Sequence, residues 1–523
     1  MIRPDSFIGF LLFTVITIGS LHGQEPLNSE WRIGAWQPES PSIWPRPMAR
    51  DTSQSLEISG YGTLQYSPGA TLRGPWLSAP SAGGVGWQLG MTWTWQLGRW
   101  SSSGMLEHSR VAGVQEDDWN EAWQWGTWDG MGWAWNPNQT DNALLRGVGS
   151  INYQVSPSVS LEAGNRRHHW GHGWRSLWLD RQAAPLPSAR IHIQTERIEY
   201  THLIARTMHR SVGSPPDFPG SGQFSPGTYV NKRSSWLAAH TIDAHISSSW
   251  KGSLFGGVTW LGNDSGYTQR FEAAYAIPVI AFRPAEYALG SADNALIGAA
   301  LTYIPLWAND QLRFYGQLML DELVVSELFN PDQWWANKWG LLGSASWRSS
   351  NEAWGVVLEG CAVRPYTYSH ASPAQSWTHN RQPLAHPAGS NFAEGRLHVR
   401  WDKNRWSAHA ALVLRRQGVD EQVALDKVPS FSIGADPLLS YITRPADYGV
   451  ELMWDGGEGA GETDVVDQRL FWADLGYEIP QLEGQQLFLR VMQNRMDGSL
   501  IQSNWWRMEI GIRLNRVLEE RNW

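Results

Sequence analysis

The residues that could do chemistry in this chain are concentrated in four polar, aromatic segments. Gly164 to Asp180 reads GNRRHHWGHGWRSLWLD, and Phe282 to Asn294 reads FRPAEYALGSADN. Asp332 to Gly340 reads DQWWANKWG. The fourth runs from Arg364 to Asn391, with RPYTYSH followed by HNRQPLAHPAGSN. His168, His169 and His172 fall within five positions, a spacing that could ligate a metal. A zinc-protease motif would need HExxH with a glutamate base, and no such Glu is present, so hydrogen-bonded histidines lining a cavity are the preferred reading. Arg283, Glu286, Asp293 and Asn294 could bind a sugar or an ion, or could pair with one another to brace a barrel wall. Trp334 and Trp335, beside Asn337 and Lys338, suit a pyranose. An aromatic ring meets the apolar C–H face of the sugar while amide and ammonium donors reach its hydroxyls. The same tryptophans would equally suit an interfacial belt.

Catalytic signatures are missing. There is no G-x-S-x-G elbow, no phosphate-binding P-loop and no dinucleotide fingerprint after a strand. Asp321 and Glu322 adjoin, which puts them on opposite faces of a strand and unsuited to paired acid–base work. The acidic, Gly-rich run Asp455 to Asp467 lacks the repetition of a calcium-binding array and reads as a solvated loop. A single cysteine, Cys361, excludes an internal disulfide framework and a multi-cysteine zinc site. No cofactor is expected.

The elements that must carry these segments are long strands. Trp87 to Gly98 reads WQLGMTWTWQLG, with Trp87, Leu89, Met91, Trp93, Trp95 and Leu97 on one face and polar or Gly residues on the other. That is the strand period, sustained for about the ~9–11 residues of a transmembrane strand. Near the C-terminus Trp506, Met508, Ile510, Ile512 and Leu514 alternate with Arg507, Glu509, Gly511, Arg513 and Asn515. In the middle Leu312, Phe314, Leu318 and Leu320 alternate with Arg313, Tyr315, Gln317 and Asp321, and Met319 is the apolar exception on the polar side. Each strand thus has a greasy face and a polar face. A soluble sandwich would turn the greasy face inward; an outer-membrane barrel turns it to lipid and the polar face to a wet lumen.

Length and tryptophan favour the barrel. The chain has 523 residues and 34 Trp, with 42% apolar and 17% charged residues, a composition that excludes general disorder. Trp87, Trp100, Trp250, Trp339, Trp505 and Trp506 fall near expected strand ends, where an aromatic girdle meets the membrane–water boundary. The mature chain allows about 18 strands at about 28 residues per strand and connection. Met1 to Gly23 reads as a secretory signal, with Arg3 before the apolar run Phe7 to Ile18. Residues 24–54 form a Pro-rich lead or plug, and residues 55–523 an all-β, transmembrane antiparallel barrel with extracellular loops. The formal charge, 41 − 50 = −9, argues against nucleic acid as a partner. The Trp-rich stretch Asp117 to Trp135 fits neither a clean helix nor a clean strand; an extracellular loop is preferred over part of a plug.

Taken in order with YITRPADYG at Tyr441 to Gly449 and GIRLNR at Gly511 to Arg516, the polar segments resemble the Wzi-type capsule-assembly family. The match is to its Bacteroidetes branch, which includes gliding-motility surface proteins, and covers roughly Asn142 to the C-terminus. The chain departs from the branch pattern at His169 and Gly171, which flank Trp170 where relatives tend to carry Phe and an aliphatic residue. The resemblance implies an outer-membrane barrel that binds or organises surface polysaccharide without an enzymatic reaction. The expected partners are that polysaccharide, outer-membrane lipid and the barrel-assembly and export machinery, with the protein a monomer.

Candidate ligand-binding residues in the first segment are Arg166, His168, His169, Trp170, His172, Trp174 and Arg175. The middle segments add Arg283, Glu286, Asp293, Asn294, Trp334, Trp335, Asn337 and Lys338. The fourth adds Arg364, Tyr366, Tyr368, His386 and Asn391. An outer-membrane diffusion channel is the first alternative, although inward Arg313, Tyr315 and Arg507 favour a blocked lumen. A gliding-motility surface component and a secreted carbohydrate-active enzyme are the others.

Overall fold

The computed structural model describes residues 55–72, 78–110, 133–134, 143–210, 232–261, 271–277, 293–309, 311–327, 335–380, 382–420, 432–444, 464–480, 485–498 and 502–514. The expected signal, the 24–54 lead, most of the Trp119 to Trp135 run, Arg283, Glu286, Trp334 and most of the Asp455 to Asp467 loop lie outside them.

Among the described residues eighteen long strands form the wall. They begin with β1 (Ser55–Leu72), β2 (Ser78–Leu97), β3 (Trp100–Arg110), β4 (Ala143–Ser156), β5 (Val159–Arg166) and β6 (Leu186–Gln194). Next come β7 (Ile198–Arg210), β8 (Lys232–His245), β9 (Trp250–Leu261), β10 (Asn294–Tyr303), β11 (Leu312–Glu322) and β12 (Lys338–Arg348). The last are β13 (Trp354–Val363), β14 (Phe392–Lys403), β15 (Trp406–Val419), β16 (Asp464–Glu478), β17 (Gln485–Asp497) and β18 (Gln502–Leu514). Every strand pairs antiparallel with its sequence neighbours, and β1 closes on β18 from Gly62 opposite Leu514 to Tyr66 opposite Ile510. The two-residue bridge Trp133–Ala134 adds to β4 and is the nineteenth member of the sheet. The strand number meets the expectation of about 18, and the pairing of β1 with β18 closes the sheet on itself.

The period-two pattern selects the faces as expected. Ile58, Leu64, Leu254, Leu358, Trp506 and Ile510 are exposed outward, while Gln88, Glu107, Arg313, Gln317, Glu359, Arg507 and Arg513 are buried inward. On a globular protein such an apolar surface would be a liability; on a barrel it is the lipid face. Connections alternate in length. Turns such as 98–99, 157–158 and 404–405 are short, whereas 111–142, 167–185, 364–391 and 420–463 join strands at the other end. In barrels of this class the short turns are periplasmic and the long loops extracellular. Aromatic pairs ring the short-turn end: Trp100–Tyr153, Trp250–Tyr303 and Trp406–Tyr477 have ring centroids 4.6, 4.5 and 4.7 Å apart. Trp87 differs from its expected place. It lies mid-strand, because β2 already begins at Ser78.

One segment lies on the outside. The short helix Ala273–Ala276 puts Tyr275, fully buried, onto Ala238, Val258, Trp260 and Ala295. These wall residues alternate with lumen-facing Leu237, Thr259 and Asn294, so the helix covers the outer wall of β8 to β10.

Candidate functional site: the lumen plug and its outer mouth

The main apolar core is inside the barrel, where the strand pattern alone predicts water. Residues 167–185, between β5 and β6, fold inward and bury Leu177, Trp178 and Leu179 against Leu203, Leu237, Phe255 and Met319 of the wall. Met319, the apolar exception on the polar face of β11, is where the plug packs. Gly298 makes room for it: a Cβ there would stand 2.3 Å from Nε1 of Trp178. Residues 364–391 form a second layer. Trp377 donates its indole N–H to the Trp178 carbonyl (2.7 Å), and Tyr368 donates its hydroxyl to that of Leu177 (2.9 Å).

Inward polar side chains of the strands hold the plug backbone. Glu359 of β13 accepts from the backbone N–H groups of Trp174 (2.6 Å) and Arg175 (2.9 Å). Gln317 of β11 accepts from the Leu177 N–H (2.8 Å), and Asp321 from that of Tyr368 (2.8 Å). Gln375 offers its carbonyl to Thr259 of β9 (2.5 Å) and Asn294 of β10 (3.1 Å). From β15, Gln417 donates to the Ala388 carbonyl (2.8 Å). Buried backbone groups need such partners, because leaving one unpaired costs about 1–3 kcal/mol.

Within the first layer the histidines go to separate partners. His168 Nε2 lies 3.1 Å from Ser188 Oγ, His169 Nε2 3.0 Å from the Gly173 carbonyl, and His172 Nδ1 2.7 Å from Thr302 Oγ1. Burial first, then Arg190 and Arg166, lowers His168 to about 3. Burial, with Arg181, lowers His169 to about 4. Both are neutral at pH 7. Asp180 accepts from Ser176 N–H and Gln182 N–H at 2.8 Å each and lies 3.7 Å from Arg175. Burial alone would raise its carboxyl, but Arg175 and its neighbours outweigh that and hold it low. Trp170 is buried in the core, and Trp174 stacks on His398 with centroids 3.7 Å apart. Arg166 bonds Ser150 Oγ at 3.2 Å.

The second layer is bound to a third loop, 432–444. Tyr366 donates its backbone N–H to Gly434 (2.9 Å) and its hydroxyl to the Ser432 carbonyl (2.7 Å), and Asn391 donates to the Ile433 carbonyl (3.2 Å). The buried carboxyl of Asp420 accepts from the N–H groups of Ile433 (2.6 Å), Ala435 (3.1 Å) and Asp436 (2.8 Å). His386 is fully buried, 3.4 Å from Glu394, and burial lowers it to about 4. Asp293 accepts from the Tyr275 hydroxyl at 2.6 Å, outside this assembly.

At the long-loop end the plug presents rings and cations. Trp335 packs edge-on to Tyr366 (5.9 Å) and near Tyr441 (5.5 Å), and His370 meets Tyr441 at 5.8 Å. The Lys338 ammonium is buried, 4.5 Å from the Tyr441 ring centroid and 3.4 Å from Glu322. The Arg444 guanidinium lies 3.7 Å from the Trp335 ring centroid. Asn337 accepts from the Val324 N–H at 2.7 Å and fixes the loop carrying Trp335. Arg364 is 6% exposed, its Nη2 without a hydrogen-bond partner, and burial lowers its guanidinium below the usual range.

Of the candidate residues, then, Trp335 and Lys338 come together at the mouth, whereas Trp170, Arg175, Tyr366, Tyr368, His386 and Asn391 are internal to the plug. Sequence reasoning passed over Tyr441, Arg444 and His370. Tyr441 and Arg444 lay inside a quoted motif, and proximity to Trp335 was the missing signal. It also passed over Asp420, whose role has no local signature.

Comparison with solved structures follows from this architecture. Wzi of Escherichia coli, described as an outer membrane protein involved in group 1 capsule assembly and a carbohydrate-binding β-barrel, overlays with a TM-score of 0.50. The match covers 88% of this chain and 85% of that one at 10% identity. The chain has a Wzi-like barrel fold. OccAB1 of Acinetobacter baumannii overlaps 90% of this chain and 99% of its own at 12% identity and a TM-score of 0.45. OprD of Pseudomonas aeruginosa overlaps 88% and 94% at 10% identity and a TM-score of 0.42, and at these scores neither likeness carries weight. No family model and no curated protein matches the sequence.

Proposed function

We propose that this protein is a non-enzymatic outer-membrane barrel that holds surface polysaccharide at its extracellular mouth. The observation that carries this is the joining of a loop-filled lumen to a partly exposed patch of Trp335, Tyr441, His370 and Arg444 on its outer side. Rings set beside cationic and amide donors, on a rigid support, are what a sugar polymer needs, since little ordering entropy is then lost on binding. The plug favours this reading over a diffusion channel, because wall residues from β8 to β11 bond to chain inside the lumen. The fold shared with Wzi, itself described as carbohydrate binding, supports it as analogy only.

The test is retention of polysaccharide by detergent-solubilised protein and capsule attachment on cells. Replacing both Trp335 and Tyr441 by Ala is expected to weaken retention about tenfold or more, since ring stacking contributes about 1–2 kcal/mol. Capsule that stays attached after deletion of the gene, with no binding to any polysaccharide in solution, would remove this function.

A further inference from the structure

At the loop end of the outer wall the charges are unbalanced. Arg469 of β16 stands directly opposite Arg495 of β17, an arrangement that is destabilising unless an anion joins the pair. Asp497 takes Arg495 at 2.7 Å and Asp467 takes Arg416 at 3.9 Å, with all four side chains about half exposed. Arg469 is exposed too, and among the described residues it has no ion pair or hydrogen bond. The next outward row toward the short turns carries Phe471 and Trp506, so the two arginines sit where the apolar band ends.

The row that holds these arginines continues, through Leu414 of β15, into glycine. Gly395 of β14 lies opposite Leu414 and Gly360 of β13, Gly360 opposite Gly343 of β12, and Gly343 opposite Gly316 of β11. A glycine inside a strand weakens it, yet packing within the barrel requires none of these four. None has a positive φ. A Cβ would meet nothing within 4 Å at Gly343 and Gly395, and only a backbone oxygen 4.0 Å away at Gly316 and Gly360. Gly298, by contrast, is required by Trp178. The four leave a trough, banked on its lower side by Phe314, Leu358 and Leu397. Barrel strands tilt by about 35–45°, so a row of paired residues climbs as it goes round. This one starts near the Leu312 end of β11, at the short turns, and reaches Arg495 near the Asp497 end of β17, at the loops. Three strand spacings make the trough about 14 Å long, about the share of one leaflet in a ~30 Å hydrocarbon core.

We infer that this sector of the outer wall binds a membrane lipid with a phosphate headgroup, the phosphate received by Arg469 and Arg495 and an acyl chain laid in the glycine trough. Guanidinium groups meet phosphate with paired, charge-assisted donors, and the phosphate cancels the repulsion between the two arginines. The site faces lipid and is independent of the polysaccharide mouth.

The experiment counts lipids bound to the full-length barrel, folded in detergent, by native mass spectrometry. The probes are dipalmitoyl phosphatidate and the matching diacylglycerol, which lacks the phosphate. Phosphatidate is expected to bind at least about tenfold more tightly than diacylglycerol. Arg469→Gln is expected to lose about tenfold on phosphatidate, whereas Arg348→Gln, at the short-turn end, leaves binding unchanged. Gly360→Val is expected to weaken both lipids about fivefold in a barrel at least as stable as the wild type, since a β-branched residue suits a strand. Heat-modifiable mobility shows that each variant has assembled. Equal binding of the two lipids, or unchanged phosphatidate binding by Arg469→Gln, overturns the headgroup site. Unchanged binding by Gly360→Val overturns the trough. Displacement of phosphatidate by inorganic phosphate at matching concentration marks a site for the anion alone and overturns the lipid as its occupant.

Discussion

Glu359 and the plug histidines show how single residues hold the lumen filling in place. A buried carboxylate is costly unless its lone pairs are taken, and Glu359 is taken by two backbone N–H groups of the plug. His168, His169 and His386 are kept neutral by burial, lowered from 6.5 to about 3, about 4 and about 4. The sign follows directly. Unfolded histidines take up protons below pH 6.5 while the native ones do not, so stability is full above 6.5 and falls as pH drops toward those native values. Each contributes a loss of about 1.4 kcal/mol per pH unit across its window. Asp180, held low, loses stability in the same direction below its usual value; Asp420, raised by burial, acts oppositely. The protection of residues 167–185 against hydrogen exchange, relative to the intrinsic rate at each pH, is therefore expected to fall between pH 6.5 and about 4. Protection that is flat across that window would contradict burial of these rings.

At the scale of elements, the loop 167–185 is seated by glycine. Gly171 has φ +113°, and a Cβ there would lie 2.3 Å from the Tyr315 hydroxyl and 2.9 Å from Gln317 Nε2. Gly171→Ala is expected to cost about 2–4 kcal/mol, by adding backbone strain to overpacking. Faster proteolysis of the loop in an otherwise intact barrel would register it, and wild-type resistance would show that the seat tolerates a methyl group. Strands were legible in advance because alternation is a local property: Leu312 to Asp321 falls on its expected faces, Met319 included as an inward residue. The plug was not legible. Its histidines read as lining a cavity, which says nothing of a filled one, whereas Leu177, Trp178 and Trp377 make these segments a core that is apolar only in three dimensions.

For the whole molecule, a closed wall and a filled interior divide the work. The wall meets lipid outside, and the lumen is occupied by layers from 167–185 and 364–391. In planar bilayers the intact protein is expected to pass no steady current, and replacing residues 167–185 by a short Gly-Ser link should produce one. Steady conductance from the intact protein would favour the channel reading instead. The expectation of an N-terminal plug falls on residues outside those described, and the described plug is made of internal loops.

The sequence by itself determined the strands, their lipid and lumen faces and, in Trp100 and Trp250, two members of the aromatic ring at the short turns, because lipid and water act on each position according to a period of two. Only the tertiary structure decided which polar segments enter the lumen and what they meet there. The Arg175 N–H finds Glu359 184 residues away, and Trp335 finds Tyr441 and Arg444 from another loop. Contacts of that kind depend on closing the barrel first, and no local pattern records them.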